Sequence, residues 1–250
     1  WIQKLRQTIT EKQITLPMTL EEGQFAILDF GRIETGFLKT QMEALKDSDV
    51  VVSFSEYYEG EEFRLPFMNA HNVVEYFLEK GDAREHMTFE PYTLRYLNVI
   101  ALEGSAEITL PALIRYDFPS HEITQAIPMP DEVLQSIYDA AVETFRQNTL
   151  DIYMDCPSRE RAGWLCDSFF TSRVEYALTG KSELERAFLQ CFILPESFEY
   201  IPKGMLPMCY PSDHYDRTYI PNWAMWYAVE LCEYFNRTGD REFVDSTKDR

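Results

Sequence analysis

Basic residues are scarce in this sequence. Its 250 residues include 23 Lys and Arg against 42 Asp and Glu, which gives a formal net charge of −19 at pH 7. A field of that sign repels a phosphate backbone, so a nucleic acid is not an expected partner. Long hydrophobic runs are missing as well, since no window reaches the ~18 apolar residues that a membrane span requires. The sequence therefore predicts no membrane span.

Cysteine is also rare, and its distribution argues against a disulfide framework. The five cysteines lie in the second half of the chain, without a C-x-x-C pair or a zinc-like spacing, and an odd number cannot all pair within one chain. We predict neither a metal nor another cofactor. With 10 Gly, 13 Pro and 45% hydrophobic residues, the composition is that of a folded globular protein.

Neither end of the chain carries a targeting or stop signal. The sequence begins with Trp1 rather than Met, and its first residues lack the apolar run of a signal peptide. A last helix that starts near Asp240 meets no stop signal before Arg250. These features favour a piece of a longer protein, and the N-terminus does not indicate a compartment.

The first half of the chain alternates apolar and polar residues with a period of two. Short runs of this kind are separated by Gly, Asp or Pro: Phe25–Phe30, Gly36–Gln41, Val50–Glu56, Val73–Glu79, Leu94–Leu102 and Ile108–Tyr116. Because no helix separates them, the strands should pair mainly antiparallel. We predict a β-sandwich domain over residues 1–125, with glycines such as Gly31 and Gly36 at its turns.

A helical period begins after Pro128 and Pro130. The pattern predicts five helices: one capped by Asp131, one over Trp164–Leu178 that ends at Gly180, one opened by a capping box at Ser182–Glu185, one over Pro221–Arg237 and one from Asp240. Several of the intervening loops are too long for a closed up-down bundle. We interpret residues 126–250 as part of a larger helical array.

The densest polar segment of the helical half is Asp155-Cys-Pro-Ser-Arg-Glu-Arg-Ala-Gly-Trp-Leu-Cys-Asp167. It places three carboxylates, two guanidinium groups and an indole close together in the chain. Pro157 and Gly163 favour an irregular backbone there rather than a solvated helix face. We therefore expect the chemistry of this half to lie in the loop between the first and second helices.

Two interpretations of this loop follow from its residue types. If Trp164 backs Glu160 while Asp155 and Asp167 remain ionised, desolvation and like charge both favour a proton on Glu160, as a general acid requires. Alternatively, the two arginines of the segment neutralise the same carboxylates in a structural ion-pair network. Composition alone does not separate the two.

The segment resembles the D-C-P-x-R-D-E-R-x-G-W-x-x-D signature of glycoside hydrolase family 78, the α-L-rhamnosidases. The aligned positions are Asp155-Cys-Pro157, Arg159, Glu160-Arg161, Gly163-Trp164 and Asp167, if one residue before Glu160 is deleted. In the first half, Leu28–Phe37 resembles the family's D-x-G strand pattern, and Phe89–Tyr96 resembles its P-x-F-x-x-x-x-R-Y element. Family members place an antiparallel β-sandwich directly before an (α/α)6 barrel, so the resemblance makes residues 126–250 the first helices of such a barrel.

The resemblance implies inverting hydrolysis of terminal α-L-rhamnosides from glycans or glycosides, with a carbohydrate as the partner. It makes Glu160 the general acid, and Asp155, Arg159, Trp164 and Asp167 the walls and hydrogen-bond partners of the sugar subsite. Inverting enzymes also need a second carboxylate about 6.5–9.5 Å away to activate water. In the family that base comes from a helix downstream of the region seen here. A periplasmic or secreted location is a further implication.

Two departures from the family pattern keep other functions open. The deletion before Glu160 removes the family's Asp, and a later W-G-D-A-like element appears as Asn222–Trp226 without its Asp. One alternative is a non-catalytic carbohydrate-binding protein or a degenerate glycosidase scaffold. Another is a related toroid enzyme, such as a lyase or an unsaturated-glycoside hydrolase, that acts on a different sugar.

Three further features have plainer interpretations. Asp213–Asp216 contains one His, too few ligands for a catalytic zinc site, and is more typical of a sugar-binding loop or a solvated turn. Trp223 and Trp226 stand at i, i+3 spacing, which favours core packing over a ligand stack. Cys156 and Cys166 have no His near them in the sequence, so we interpret them as small apolar fillers.

Overall fold

The computed structural model describes residues 10–11, 16–58, 72–212 and 219–248. The chain divides into two compact units, residues 1–116 and 117–250. Strands build the first and helices the second, which confirms the predicted order of an antiparallel β half followed by a helical half. In the part of the chain that the structure describes, no helix is both long and apolar enough to cross a membrane.

Eight strands of the described residues form one sheet in the first unit. They are β1 (Thr10–Glu11), β2 (Met18–Glu21), β3 (Gln24–Ala44), β4 (Ser48–Ser55), β5 (Val73–Leu78), β6 (Ala83–Met87), β7 (Tyr92–Glu103) and β8 (Ser105–Arg115). Their order is β2-β8-β3-β7-β4-β5, with β1 and β6 also paired to β3. The short β1–β3 pair is parallel, and the other pairs are antiparallel.

The long central strand β3 joins two runs that the sequence pattern separated. Both Phe25–Phe30 and Gly36–Gln41 lie within it, so the turns expected at Gly31 and Gly36 are wrong. Gly31 instead has a φ of +83°, and the pairing of β3 with β7 shifts register between Asp29 and Glu34. Glycine adopts a positive φ without strain, which lets the strand bulge and continue where another residue would favour a break.

A bidentate ion pair stabilises this bulge. Asp29 accepts hydrogen bonds from Arg95 Nε at 2.8 Å and from Arg95 Nη2 at 2.9 Å, and a third from the Gly31 amide at 2.7 Å. The hydrogen bond from Arg95 is the main reason that the pKa of Asp29 is lowered. The two segments of this half that match the family pattern, Leu28–Phe37 and Phe89–Tyr96, are therefore joined at this bulge.

The larger of two hydrophobic clusters in the described part of this unit draws on both parts of β3. The first part of β3 pairs with β7, and the last part pairs with β8 and β6. Buried side chains from both parts pack in one cluster that includes Leu20, Leu38, Met42, Leu97 and Ile108. Buried and less buried residues alternate near both ends of β3, which is the period of two that predicted it, whereas residues 97–101 of β7 are all buried.

A carboxylate cluster at the edge of this core makes the stability of the first unit depend on pH. Asp49 on β4 lies opposite Glu103 on β7, and burial, followed by the charge of Glu75, raises the pKa of Asp49 to about 6. The folded state therefore binds this proton more tightly than the unfolded chain, and stability falls as pH rises from about 4 to about 6. We expect Asp49→Asn to raise the free energy of unfolding by ~1 kcal/mol at pH 7, a figure reduced for the partial exposure of the carboxyl.

Urea unfolding at two pH values checks this prediction. Below about pH 4 the carboxyl is neutral in both states, so Asp49→Asn should change the free energy of unfolding little there. Glu22→Gln, which alters an exposed carboxylate of the same unit, should have no effect at either pH. A gain of equal size at both pH values would show altered packing instead of a removed charge.

Five α-helices and a short 3-10 helix, Ser120–Glu122, lie in the described part of the second unit. The α-helices are α1 (Glu132–Asn148), α2 (Asp167–Thr179), α3 (Glu183–Cys191), α4 (Pro221–Thr238) and α5 (Arg241–Ser246). The cap at Asp131 is confirmed, since its carboxylate accepts from the Leu134 amide at 2.9 Å, and Gly180 ends α2 with a φ of +72°. The start of α2 at Asp167 corrects the predicted start at Trp164, because Trp164 takes part in a β-bridge with Cys209.

The capping box predicted at Ser182 does not form. The side chain of Ser182 makes no cap hydrogen bond, and its hydroxyl is buried without a partner among the described residues. Glu175 of α2 takes its place, with its carboxylate accepting from the amides of Leu184 at 3.1 Å and Glu185 at 3.2 Å. The first turn of α3 is thus capped by another helix rather than by its own sequence.

Candidate active site

The polar segment between α1 and α2 is a loop that closes on itself. The Asp155 amide donates to the Ala162 carbonyl at 3.1 Å, and the Ala162 amide donates back to Asp155 Oδ1 at 3.2 Å. Within this closure, the Arg161 amide donates to the Cys156 carbonyl at 3.1 Å. Asp155 therefore stands at the base of the loop, where one of its carboxylate oxygens holds the backbone.

Backbone hydrogen bonds to a second segment, residues 208–210, hold the end of the loop in place. The Leu165 amide donates to the Met208 carbonyl at 3.0 Å, and the Tyr210 amide donates to the Gly163 carbonyl at 2.9 Å. A Cβ at Gly163 would lie 2.6 Å from the Tyr210 carbonyl oxygen and 2.7 Å from the Phe188 ring. Only glycine fits there, because both neighbours are fixed by the bridge and by the core.

Glu160 contacts two of the residues that the motif places around it. Trp164 Nε1 donates to Glu160 Oε2 at 2.8 Å, and Arg159 forms an ion pair with Glu160 Oε1. The side chain of Glu160 is 19% exposed, whereas that of Arg159 is 48% exposed. The structure thus gathers three of the five predicted site residues at one carboxylate. The same contacts include the ion pair expected of a structural network.

Asp167, the first residue of α2, belongs to the same electrostatic environment. Burial raises its pKa most, the charges of Asp155 and Glu160 raise it further, and a hydrogen bond with the Trp223 side chain acts against them. The sequence predicted burial combined with like charge at Glu160, with Asp167 as one of the neighbouring charges; the structure shows this combination at Asp167. All three carboxyl groups of the motif are near enough to influence one another.

The two tryptophans of α4 pack in the core as predicted. Trp226 lies 4.9 Å from the Phe169 ring and 6.1 Å from the Phe170 ring, between centroids. Trp223 and Trp164 both pack against a small buried cluster of Ala162, Met208 and Cys209. The contact of Trp223 with Asp167 is a role that the spacing of these residues did not predict, since it depends on how α4 meets α2.

The remaining sequence-derived candidates have simpler outcomes. All five cysteines are free thiols. Burial raises the pKa of the Cys156 and Cys166 thiols, which favours the uncharged form of a packing residue over a nucleophilic thiolate. The segment Asp213–Asp216 lies outside the described residues.

A buried acidic network beneath the loop was missed by the sequence analysis. Glu175, Glu185 and Glu230 are each at most 2% exposed. The Tyr153 hydroxyl donates to Glu175, and Arg237 pairs with Glu185. A signal was present in the sequence, because the buried face of α2 repeats polar residues at helical spacing where a plain core helix would have apolar ones.

An open cavity of about 570 Å³ adjoins the loop at Asp155. Its walls come mainly from α1 and α2 and are mostly apolar, with Phe170 as a large exposed member and Asp155 and Arg173 as the charged ones. A sugar presents hydroxyl groups that need several hydrogen-bond partners. The polar side of the loop around Glu160 meets that need better than this cavity does.

Comparisons with known proteins agree with the motif. Residues 124–247 match the model of the bacterial α-L-rhamnosidase six-hairpin glycosidase domain. A comparison with curated proteins gave no match.

Three solved structures share the fold of the chain. A rhamnosidase from Klebsiella oxytoca with rhamnose bound has a TM-score of 0.69 and 18% identity, over 90% of this chain and 46% of that one. A GH78 family rhamnosidase of Bacillus sp. GL1 has a TM-score of 0.70 and 22% identity, over 87% and 22%. A Streptomyces avermitilis α-L-rhamnosidase complexed with L-rhamnose has a TM-score of 0.62 and 15% identity, over 88% and 21%. The chain thus spans less than half the length of these proteins.

Proposed function

We propose that this chain, an α-L-rhamnosidase-like protein of the glycoside hydrolase family 78 type, carries the acid side of an inverting glycosidase that removes terminal α-L-rhamnosyl groups from glycans or glycosides. The observation that carries the proposal is the convergence of Glu160 with Asp155 and Asp167 in one loop, beside Arg159 and Trp164. The presence of rhamnose in two of the similar structures supports the choice of sugar.

In this proposal Glu160 protonates the glycosidic oxygen as the bond to the leaving group breaks. Because the Arg159 side chain is half exposed, sugar hydroxyls can hydrogen-bond its guanidinium group in place of Glu160. Glu160 Oε1 is then free to carry the proton that is transferred. The indole N–H of Trp164 keeps the carboxyl oriented through Oε2. In the protein without substrate, the ion pair with Arg159 fixes the position of the Glu160 side chain.

The other carboxyl groups bind the sugar. Asp155 and Asp167 accept hydrogen bonds from its hydroxyls, and the indole face of Trp164 covers the apolar side of the methylated ring. We assign activation of the attacking water to a carboxylate on a later helix of the same domain, about 6.5–9.5 Å from Glu160. Residues 126–250 would then be the first helices of an (α/α)6 barrel, and residues 1–125 its β-sandwich partner domain.

A second candidate function is a non-catalytic sugar-binding scaffold. The Arg159–Glu160 ion pair favours it, because it occupies the carboxylate that the enzyme needs. The test is to incubate the purified protein with a panel of aryl glycosides and to follow the products by NMR. We expect release from the α-L-rhamnoside, with β-L-rhamnose as the first product. Saturable binding of L-rhamnose without release would favour the scaffold, and release from another glycoside would favour a related enzyme.

A further inference from the structure

A buried hydrogen bond fixes the first turn of α2 directly after Asp167. The Ser168 hydroxyl donates to Glu230 Oε2 of α4 at 2.5 Å, and both side chains are fully buried. The other oxygen of Glu230, Oε1, has no hydrogen-bond partner among the described residues. Among the described residues, the Ser168 hydroxyl is thus the hydrogen-bond partner that fixes the Glu230 carboxyl.

The backbone just before Asp167 needs such support. Cys166 has a φ of +78°, in a region that residues with a Cβ rarely adopt. A conformation of this kind persists when its surroundings fix it on both sides. The Leu165 amide donates to the Met208 carbonyl at 3.0 Å on one side. On the other side, Ser168 donates through its amide to the Trp164 carbonyl at 3.0 Å and through its hydroxyl to Glu230. The Ser168–Glu230 bond is therefore the side-chain interaction that helps to fix the direction in which Asp167 leaves the loop.

The face of α4 that carries Glu230 also contacts Asp167 directly, through Trp223. Trp223 and Glu230 stand at i, i+7 spacing on α4, which puts them on one side of the helix. Trp223 hydrogen-bonds the Asp167 side chain, and it packs on the same buried cluster as Trp164, the indole that donates to Glu160. One helix face thus contacts the carboxyl at the start of α2 and the cluster that supports the residue orienting Glu160.

We infer that Glu230 is a positioning residue of the sugar site: through Ser168 it fixes the first turn of α2, and so the place of Asp167, without contacting substrate itself. This inference rests on the proposed function, since Asp167 is assigned there to bind the sugar. The ligand of the positioned site is accordingly the terminal rhamnosyl group, one hydroxyl of which donates a hydrogen bond to Asp167.

Several ionisable groups face Glu230 from the elements around it. They are Glu185 of α3, Arg237 and Tyr227 of α4, Tyr153 and Cys166. Burial is the main cause that raises the pKa of Glu230 to about 8; Glu185 adds to the rise, and the Ser168 bond and Arg237 oppose it. The carboxyl is therefore neutral at pH 7 in the folded state. Its contribution to stability is complete below about pH 4.5 and is lost as pH rises through about 8.

Ser168→Ala tests the positioning role without leaving a charge unpaired. We expect kcat/KM on an aryl α-L-rhamnoside to fall about 10-fold, less than the ~100-fold that a 1 Å displacement in an active site can cost. Ser172→Ala is the matched control, because Ser172 is also fully buried on α2 but donates only to the Phe169 carbonyl of its own helix, at 3.2 Å. We expect the control to keep kcat and KM.

Glu230→Gln supplies a readout that a merely structural role would not move. The amide keeps an acceptor for Ser168 but cannot ionise, so activity at pH 7 should stay within about 2-fold of the wild type. Glu230→Leu, which removes the acceptor, should instead lower kcat/KM about 10-fold, as Ser168→Ala does. Equal kcat/KM in Glu230→Gln and Glu230→Leu would overturn the inference.

Hydrogen exchange of the purified protein separates this inference from the proposed function. Amides of residues 166–169 should exchange at least about 10-fold faster in Ser168→Ala and at the wild-type rate in Ser172→Ala. A wild type that releases no rhamnose would end the proposed function, yet this exchange measurement would still test the Ser168–Glu230 bond. Equal exchange in the two variants, or equal kcat/KM in an active protein, would refute the positioning role of Glu230.

Discussion

Glu160→Gln is expected to lower the rate of hydrolysis by ~10² to 10⁴ on a rhamnoside whose leaving group must be protonated. The amide keeps the size of the side chain and the hydrogen bond from Trp164, but it carries no proton that can be transferred. On an aryl rhamnoside with an acidic leaving group the loss should be much smaller, since that group departs without help. The loss should therefore follow the pKa of the leaving group.

The structural-network interpretation makes a different prediction for the same variant. If Glu160 only pairs with Arg159, its replacement should affect both substrates equally. It should also lower the melting temperature, through a loss of no more than ~1 kcal/mol in the free energy of unfolding, as for a partly exposed ion pair. Glu143→Gln is a suitable control, because Glu143 pairs with Arg146 at 2.8 Å outside the loop. Rates equal to the wild type on the poor leaving group would exclude Glu160 as the general acid.

Local patterns in the sequence predicted the elements that depend on local interactions. The cap at Asp131 and the helix end at Gly180 involve only their own turns, so both appear where the pattern placed them. The bulge at Gly31 did not, because a glycine with positive φ is compatible with a turn or with a continued strand. The choice is made by pairing with β7, which the period of two does not encode.

The candidate site also combines residues that a local motif predicts with residues that only tertiary packing brings in. Asp155, Glu160 and Trp164 lie in one contiguous segment, so a motif sufficed to bring them together. Trp223 and Glu230 reach this segment from α4, across a tertiary contact that no spacing rule describes. The raised pKa of Asp167 likewise follows from burial, which depends on the packing of other helices and not on the motif itself.

The largest effect on stability is expected from the buried pair between Arg237 and Glu185. Glu185 is fully buried, and Arg237 Nη2 bonds its Oε1. Arg237→Met would leave a carboxylate in the core without its counter-charge, at a cost of about 3–5 kcal/mol. Replacing both partners, as in Glu185→Leu with Arg237→Met, should recover most of that loss, because two apolar side chains need no counter-charge.

Arg241→Met is the control variant. It separates the effect of an unpaired buried charge from the effect of losing a guanidinium group that stacks on an aromatic ring. Arg241 lies over the Phe235 ring at 5.3 Å and pairs with Asp245 at 4.0 Å, whereas Arg237 lies over the Tyr176 ring at 5.8 Å. Because Arg241 is exposed, its replacement should cost less than ~1 kcal/mol. Chemical unfolding followed by tryptophan fluorescence measures both variants, since three of the four tryptophans lie in the helical unit. Equal losses would mean that Arg237 acts by stacking, and a double variant as unstable as Arg237→Met would show that the buried carboxylate is not the cause.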